Sequence, residues 1–329
     1  MKAIRRFLPT AQTVSFVLLM LLCLLVFGLL KPSYATWDNL YSMVLSACVA
    51  AVLAAGMGVV ISAGGFDLCV GHTAGFSALM CGFFLRTLDF DPIPAMLLAI
   101  GMAVAIGAIN GLLVSRMGIS SFIVTLGMQF VLVGARQWIT AGNSYRVSNL
   151  IKGMVQSAFL GVSNLVWISA AMLGVIGFVM QKTPFGRKIQ FTGANIVATA
   201  LNGTPTRLYT FLAFLISGAI SGVVGILQFG KLTSATINMG DGWLFNAMTI
   251  AVFSSVIFGR FKAHGLALVS FLITMITTGI NMQGVSSAWT NFVLGVILLA
   301  SLFAGKFIHF DSFGKKPKRS EDNGCQATV

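Results

Sequence analysis

Long apolar runs separated by short polar links constrain this chain more than any other feature. They fall at 11–31, 41–62, 67–88, 93–115, 119–140, 164–181, 207–230, 243–259, 265–283 and 288–306. A helix of about 20 residues crosses the hydrocarbon layer of a bilayer, where only helices and closed barrels satisfy their own backbone. Ten runs of that length predict an all-α polytopic membrane protein of about ten transmembrane helices, with residues 1–310 as the transmembrane domain. A soluble globule is excluded by composition: 57% of the 329 residues are hydrophobic and 9% charged, too few to clothe it in polar surface. Ten spans divide into five plus five, and an odd number inverts the second set relative to the first. The sequence shows little echo of such a repeat between "SAGGFDLCVG" and "IFGRFKAHG".

Basic residues set the orientation. With a cytoplasmic N-terminus the inside receives Lys2, Arg5, Arg6, Arg116, Lys182, Arg187, Lys188, Arg207, Arg260, Lys262, Lys306, Lys315, Lys316, Lys318 and Arg319, which is 15 of the 21. The outside keeps Lys31, Arg86, Arg136, Arg146, Lys152 and Lys231, partly offset by Asp38, Asp89, Asp91 and Asp241. The positive-inside bias places both termini in the cytoplasm of a cell (inner) membrane protein. It also accounts for the net charge of +13 without nucleic acid, because the charges are spread over short loops and a tail, 311–329, that reads as cytoplasmic and disordered. Lys2, Arg5 and Arg6 ahead of Val14 to Leu30 imitate a signal peptide, but an h-region runs only about 7–15 residues, so this first helix is expected to be retained.

Catalytic and energy-coupling motifs are scarce. His72, His264 and His309 lie far apart with no HExxH-type partner, and Cys23, Cys48, Cys69, Cys81 and Cys325 show no CxxC spacing. No metal, cofactor or enzymatic centre is therefore expected. The segment "GILQFGKL", 225–232, imitates the start of a phosphate loop, yet Leu232 stands where Ser or Thr would hold magnesium. Any ATP used in transport must then be hydrolysed by another chain. An ion-coupled secondary transporter, the alternative, needs ionisable groups deep in its spans, where a charge costs about 2.5–3.5 kcal/mol on insertion scales. The sole glutamate, Glu321, is in the tail, and only Asp67 among the aspartates is a candidate for burial.

Asp67 lies in "GGFDLCVG", 64–71. This segment resembles the G-G-x-D-L-S-V-G signature of ribose-type permease subunits of ABC importers, which handle pentoses, hexoses and related small polar solutes. The resemblance continues through "GAINGLLVSRMGISSFIVTLGM", 107–128, and "TPFGRKIQFTGANIVATALNGTPTRL", 183–208, and order and spacing agree over residues 40 to 305. Departures are Ser120 for a proline, Cys69 and His72 for serines, Val197 and Ala200 for an acid and an arginine, and Ser254 and Ser255 for a glycine pair. The resemblance implies a permease that works with an ABC ATPase subunit, an extracytoplasmic solute-binding protein and a second permease chain, identical or paralogous, within the lipid bilayer. The solute it implies is a monosaccharide or similar small neutral molecule; the wider superfamily also carries branched-chain amino acids and nucleosides.

Two sets of residues follow from this reading, and a third from polar composition. Gly64 and Gly65, with Gly71 beyond, let the chain break between the second and third spans, and Asp67 past the break is placed to accept from freed amides. A direct role in solute binding or proton relay remains the alternative for Asp67. In the longest cytoplasmic loop, Gly193, Ala194, Asn195, Val197, Ala198, Leu201 and Gly203 outline a short uncharged helix from Asn195 to Leu201 with glycine stops. It resembles the coupling helix by which ABC permeases dock on their ATPases; a helix lying on the membrane surface, held by Arg187, Lys188 and Arg207, is the alternative. Polar residues inside the runs, Asn110, Thr125, Gln129, Asn246, Thr249 and Asn281, are candidates for a hydrated solute path or for bonds between helices.

Overall fold

The computed structural model describes residues 2–259, 261–285, 289–300 and 303. The tail 311–329, Arg260 and the close of the tenth run fall outside them. In chain order the helices are α1 (Lys2–Leu30), α2 (Trp37–Ser62), α3 (Val70–Arg86), α4 (Pro92–Ser115), α5 (Ser121–Thr140), α6 (Asn149–Gln156), α7 (Asn164–Lys182), α8 (Pro184–Ala194), α9 (Ile196–Leu201), α10 (Thr206–Leu232), α11 (Trp243–Phe258), α12 (Ala263–Met282) and α13 (Trp289–Ala300). Each of the ten apolar runs coincides with one of them, and six (α2, α4, α5, α7, α10 and α12) are long and apolar enough to cross a membrane. The fold is all-α. Strand is confined, among the described residues, to two pairs: β1 (Tyr145–Arg146) with β4 (Ser234–Ala235), and the hairpin of β2 (Ala158–Phe159) and β3 (Val162–Ser163).

The short helices α6, α8 and α9 are the elements the apolar runs did not announce as spans. All three start on side-chain caps, where water competes for the first backbone amides. Ser148 Oγ accepts from Ile151 N at 3.3 Å, Thr183 Oγ1 from Gly186 N at 3.3 Å and Asn195 Oδ1 from Ala198 N at 2.9 Å. The helix expected from Asn195 to Leu201 is α9, and the rest of that loop, read as a link, is the packed helix α8.

At the centre α10 lies against α4, α3 and α2. Gly107 of α4 faces Gly218 of α10 so closely that a Cβ on Gly107 would sit 2.5 Å from Phe214 O, and one on Gly218 2.5 Å from Ala103 O; beside them Gly111 packs on Phe211 and Gly222 on Ala103. In hydrocarbon the hydrophobic effect gives helices no reason to associate, so close packing of small residues supplies the attraction. The same helix meets α3 at Gly225, where a Cβ would lie 2.2 Å from Ala74 O.

Two connections leave helical geometry inside the bundle. Residues 63–69 join α2 to α3 near the end that carries Arg116, Lys182 and Arg207, and residues 233–242 join α10 to α11 near the opposite end. Among the ten apolar runs these links join the second to the third and the seventh to the eighth. Packing exchanges in the same way: α10 lies on α3 and α4, while α2 lies on α11 and α12. That is the arrangement expected of two inverted halves, although their sequences do not echo one another.

The second link is seated on α3 by glycines. A Cβ on Gly75 would fall 1.8 Å from Met239 O, and one on Gly240, whose φ of +97° already favours glycine, 2.3 Å from Gly71 O. Gly75→Ala should therefore lower the thermal stability of the purified protein in detergent by about 1–3 kcal/mol. Gly101→Ala, with nothing within 4 Å of the new methyl, should leave it unchanged or slightly raised.

Candidate solute cavity and broken-helix turn

Gly64 starts the α2–α3 link with a φ of +86° and lies beside Gly193, whose own Cβ would strike Ser62 O at 2.2 Å. From here the chain runs through the bundle with five of its amides paired. Gly64 N donates to Ile61 O, Gly65 N to Val60 O, Phe66 N to Ser121 Oγ, Leu68 N to Thr125 Oγ1 and Cys69 N to Asp67 Oδ1, all at 3.0–3.2 Å. Two hydroxyls on the first turns of α5 thus replace the missing helical acceptors.

Asp67 is 4% exposed. Its Oδ1 accepts from Cys69 N at 3.2 Å and from Cys69 Sγ at 3.1 Å, and its Oδ2 accepts from Ser217 Oγ of α10 at 2.7 Å. Of the amides in the link, Cys69 N reaches this carboxylate, with the Cys69 thiol and the Ser217 hydroxyl beside it. Gly71, one turn on, carries the contact with Gly240.

A second polar centre was not legible as one. Arg136, read as an outside loop charge, is 1% exposed in α5. Its Nη1 donates to Met239 O, while Nη2 lies 3.0 Å from His72 Nδ1 and 3.2 Å from Asp241 Oδ1. The geometry suits an acceptor Nδ1 on His72, with the ring proton on Nε2. Asp241, half exposed, partners a buried cation that would otherwise be costly to desolvate. Arg136 therefore ties α5, α3 and the 233–242 link together. The available signal was its position inside the run 119–140 rather than beyond it. Lys231, also read as an outside loop charge, is the last-turn residue of α10 and lines a cavity.

That cavity, about 330 Å³, lies between α2, α10, α11 and α12 toward the end opposite Arg116 and Arg207. Its polar wall includes Ser46, Gln228, Lys231, Asn246 and Asn281 with threonines of α12, and it contains no acid. Gln228 Oε1 and Asn246 Oδ1 are buried without a donor. Nearer the other end, a wider space of about 630 Å³ is bounded by Gly64, Gly65, the α4–α5 link, Ile196 and Arg207. Along α10, Ser217 and its bond to Asp67 fall between Thr210 of one space and Val224 of the other.

The six polar candidates do not converge. Asn246 and Asn281 line the smaller cavity, and Asn281 Oδ1 also accepts from Thr290 Oγ1 at 2.8 Å. Thr125 supports the broken turn, and Asn110 Nδ2 donates to Cys69 Sγ at 3.1 Å beneath it. Thr249 Oγ1 faces Leu294 O at 3.5 Å, and Gln129 Oε1 is buried in α5 without a donor. In the loop, Asn195 caps α9, whose Val197 and Leu201 are exposed, Leu201 by 85%. Ala194 and Ala198 border a groove with Lys188 and Phe191, and Gly203 closes the helix at φ +74°.

The chain matches, over residues 39–302, the family model described as branched-chain amino acid transport system / permease component. It is 26% identical over 290 residues to the ribose import permease protein of Escherichia coli strain K12, covering 86% of this chain and 90% of that one. It is 27% identical over 292 residues to a probable ABC transporter permease protein of Sinorhizobium fredii, covering 87% and 86%. With the autoinducer 2 import system permease protein of Salmonella paratyphi B it shares 27% over 291 residues, covering 87% and 83%.

Asp67→Leu strands Cys69 N and the Ser217 hydroxyl, each costing about 1–3 kcal/mol. Membrane levels and detergent stability should fall sharply for Leu and mildly for Asp67→Asn, which keeps an acceptor oxygen. Normal levels of Asp67→Leu with altered solute choice would instead move Asp67 into the binding site.

Proposed function

We propose, from the premise that this chain belongs to the permease-component family of branched-chain amino acid transport systems, that it is the membrane subunit of a binding-protein-dependent ABC importer for a monosaccharide-type solute. The observation that carries the solute class is the cavity wall of amides and hydroxyls, with Lys231 as its one charge and no acid. Such a wall suits the hydroxyls of a sugar, whereas an amino acid would bring an ammonium group that finds no carboxylate there. The names of the relatives, a ribose and an autoinducer 2 permease among them, agree with a sugar-type branch.

In this reading the two spaces on either side of the Asp67–Ser217 bond are the outer and inner ends of the solute route in a pair of permease chains. The end carrying Arg116, Lys182, Arg187, Lys188 and Arg207 faces the cytoplasm of an inner-membrane protein, with both termini on that side. A solute-binding protein delivers to the opposite end. Energy comes from a separate ATPase subunit that seats α9 in a cleft. What supports the docking role is the exposed apolar edge of Val197 and Leu201 on a capped helix fixed to the bundle through α8.

The test is reconstitution with and without the ATPase of the same import system. The chain alone in proteoliposomes should accumulate no sugar on an imposed proton or sodium gradient; accumulation would favour an ion-coupled carrier. Leu201→Arg and Ala198→Arg should leave the detergent-purified chain as stable as the parent, yet abolish co-purification of the ATPase and its solute-stimulated hydrolysis. Retained hydrolysis, with α9 labelled by lipid-phase probes, would show a membrane-surface helix.

A further inference from the structure

The cavity between α2, α10, α11 and α12 contains one charge and no counter-charge. Lys231 is partly buried in the last turn of α10, and its Nζ donates to Ser46 Oγ at 2.7 Å. Ser46 spends its own proton on Ser42 O at 2.9 Å, so its oxygen is free to accept. An ammonium has three N–H donors, and this contact uses one. Among the described residues both ion pairs belong to Asp241, with His72 and Arg136, and none reaches Lys231. Gln228 and Asn246 line the same cavity, and their buried side-chain oxygens, Oε1 and Oδ1, have no donor, so a turn of either amide would offer it to a hydroxyl there.

These groups call for different things. Carbonyl oxygens are satisfied by hydroxyl donors, whereas a partly desolvated ammonium is satisfied by an anion, through a shorter and stronger charge-assisted bond. We propose that the cavity takes a sugar acid, a single polyhydroxylated ring bearing one carboxylate, with the carboxylate on Lys231 and ring hydroxyls on Gln228 and Asn246. This rests on the reading of the cavity as the solute site. Its volume, about 330 Å³, is near the lower limit of ordinary small-molecule sites, which suits one ring and not an oligosaccharide. One ammonium matches one carboxylate; a phosphate monoester, with close to two charges, would leave one uncompensated.

The proposal is tested by equilibrium binding of radiolabelled D-galacturonate and D-galactose, and of D-glucuronate and D-glucose, to the purified full chain in lipid nanodiscs. Within each pair the acid should bind at least about tenfold more tightly than its neutral parent. Lys231→Gln should erase that preference, and Lys231→Arg should keep it. Neutral sugars that bind as tightly as the acids, or a preference that survives Lys231→Gln, would overturn the proposal. If the probes bind and neither Lys231→Gln nor Asn246→Leu changes any affinity, the solute sits elsewhere and the cavity reading falls with it. If none of the four binds, the sugar-acid assignment fails while the permease reading still stands on its own test of ATPase coupling.

Discussion

The close contact of α4 with α10 is the constraint on which the other features depend. Facing glycines bring the two backbones together, and every turn of α10 from Phe211 to Gly222 then has a fixed height against α4. One turn holds Ser217 under Asp67, another sets Gly222 O where Ser77 of α3 donates to it at 3.0 Å, and a third seats Gly225 on Ala74. The last turns then carry Gln228 and Lys231 into the cavity wall. A side chain larger than hydrogen at Gly107 or Gly218 would part the helices and shift all of these together.

The two broken links solve one problem by different means. Inside hydrocarbon an unpaired amide costs several kcal/mol, so irregular backbone persists only where protein satisfies it. Residues 63–69 rely on hydroxyls of Ser121 and Thr125 and on the carboxylate of Asp67. Residues 233–242 rely on glycine contacts with α3 and on the guanidinium of Arg136, which holds Met239 O and Asp241 at once. An acid supports one link and a base the other, and both lie beside the N-terminal half of α3. Irregular segments of this kind, held by a few strong polar contacts rather than by a helical ladder, are natural places for a two-state rearrangement in a transport cycle.

Much of this molecule was written in its hydropathy. Ten apolar runs became ten helices because, in a bilayer, length and apolarity leave the backbone one solution. The glycine pair and acid of "GGFDLCVG" announced a break, since only glycine takes the φ of Gly64 without strain and a lone acid among apolar residues needs donors. The uncharged stretch from Asn195 to Leu201 between two glycines announced a short helix there, while the structure puts Gly193 inside α8 and leaves the start of α9 to the side-chain cap of Asn195.

Pairings across distance were not written there. Nothing near Arg136 in sequence reveals that Met239 and Asp241 meet it, and nothing near Thr125 reveals that the amide of Leu68, 57 positions away, donates to it. The exchange of packing, α2 on α12 and α10 on α4, is one that many different side chains can achieve, so it left no repeated motif. The sequence by itself determined the solvent, the apolar runs that form helices and the place where glycines let a helix break, because these follow from local chemistry against water and lipid. Only the tertiary structure decided which polar groups satisfy the breaks and which line a cavity, because each depends on residues brought together by helix packing, where close approach rather than residue type selects the partner.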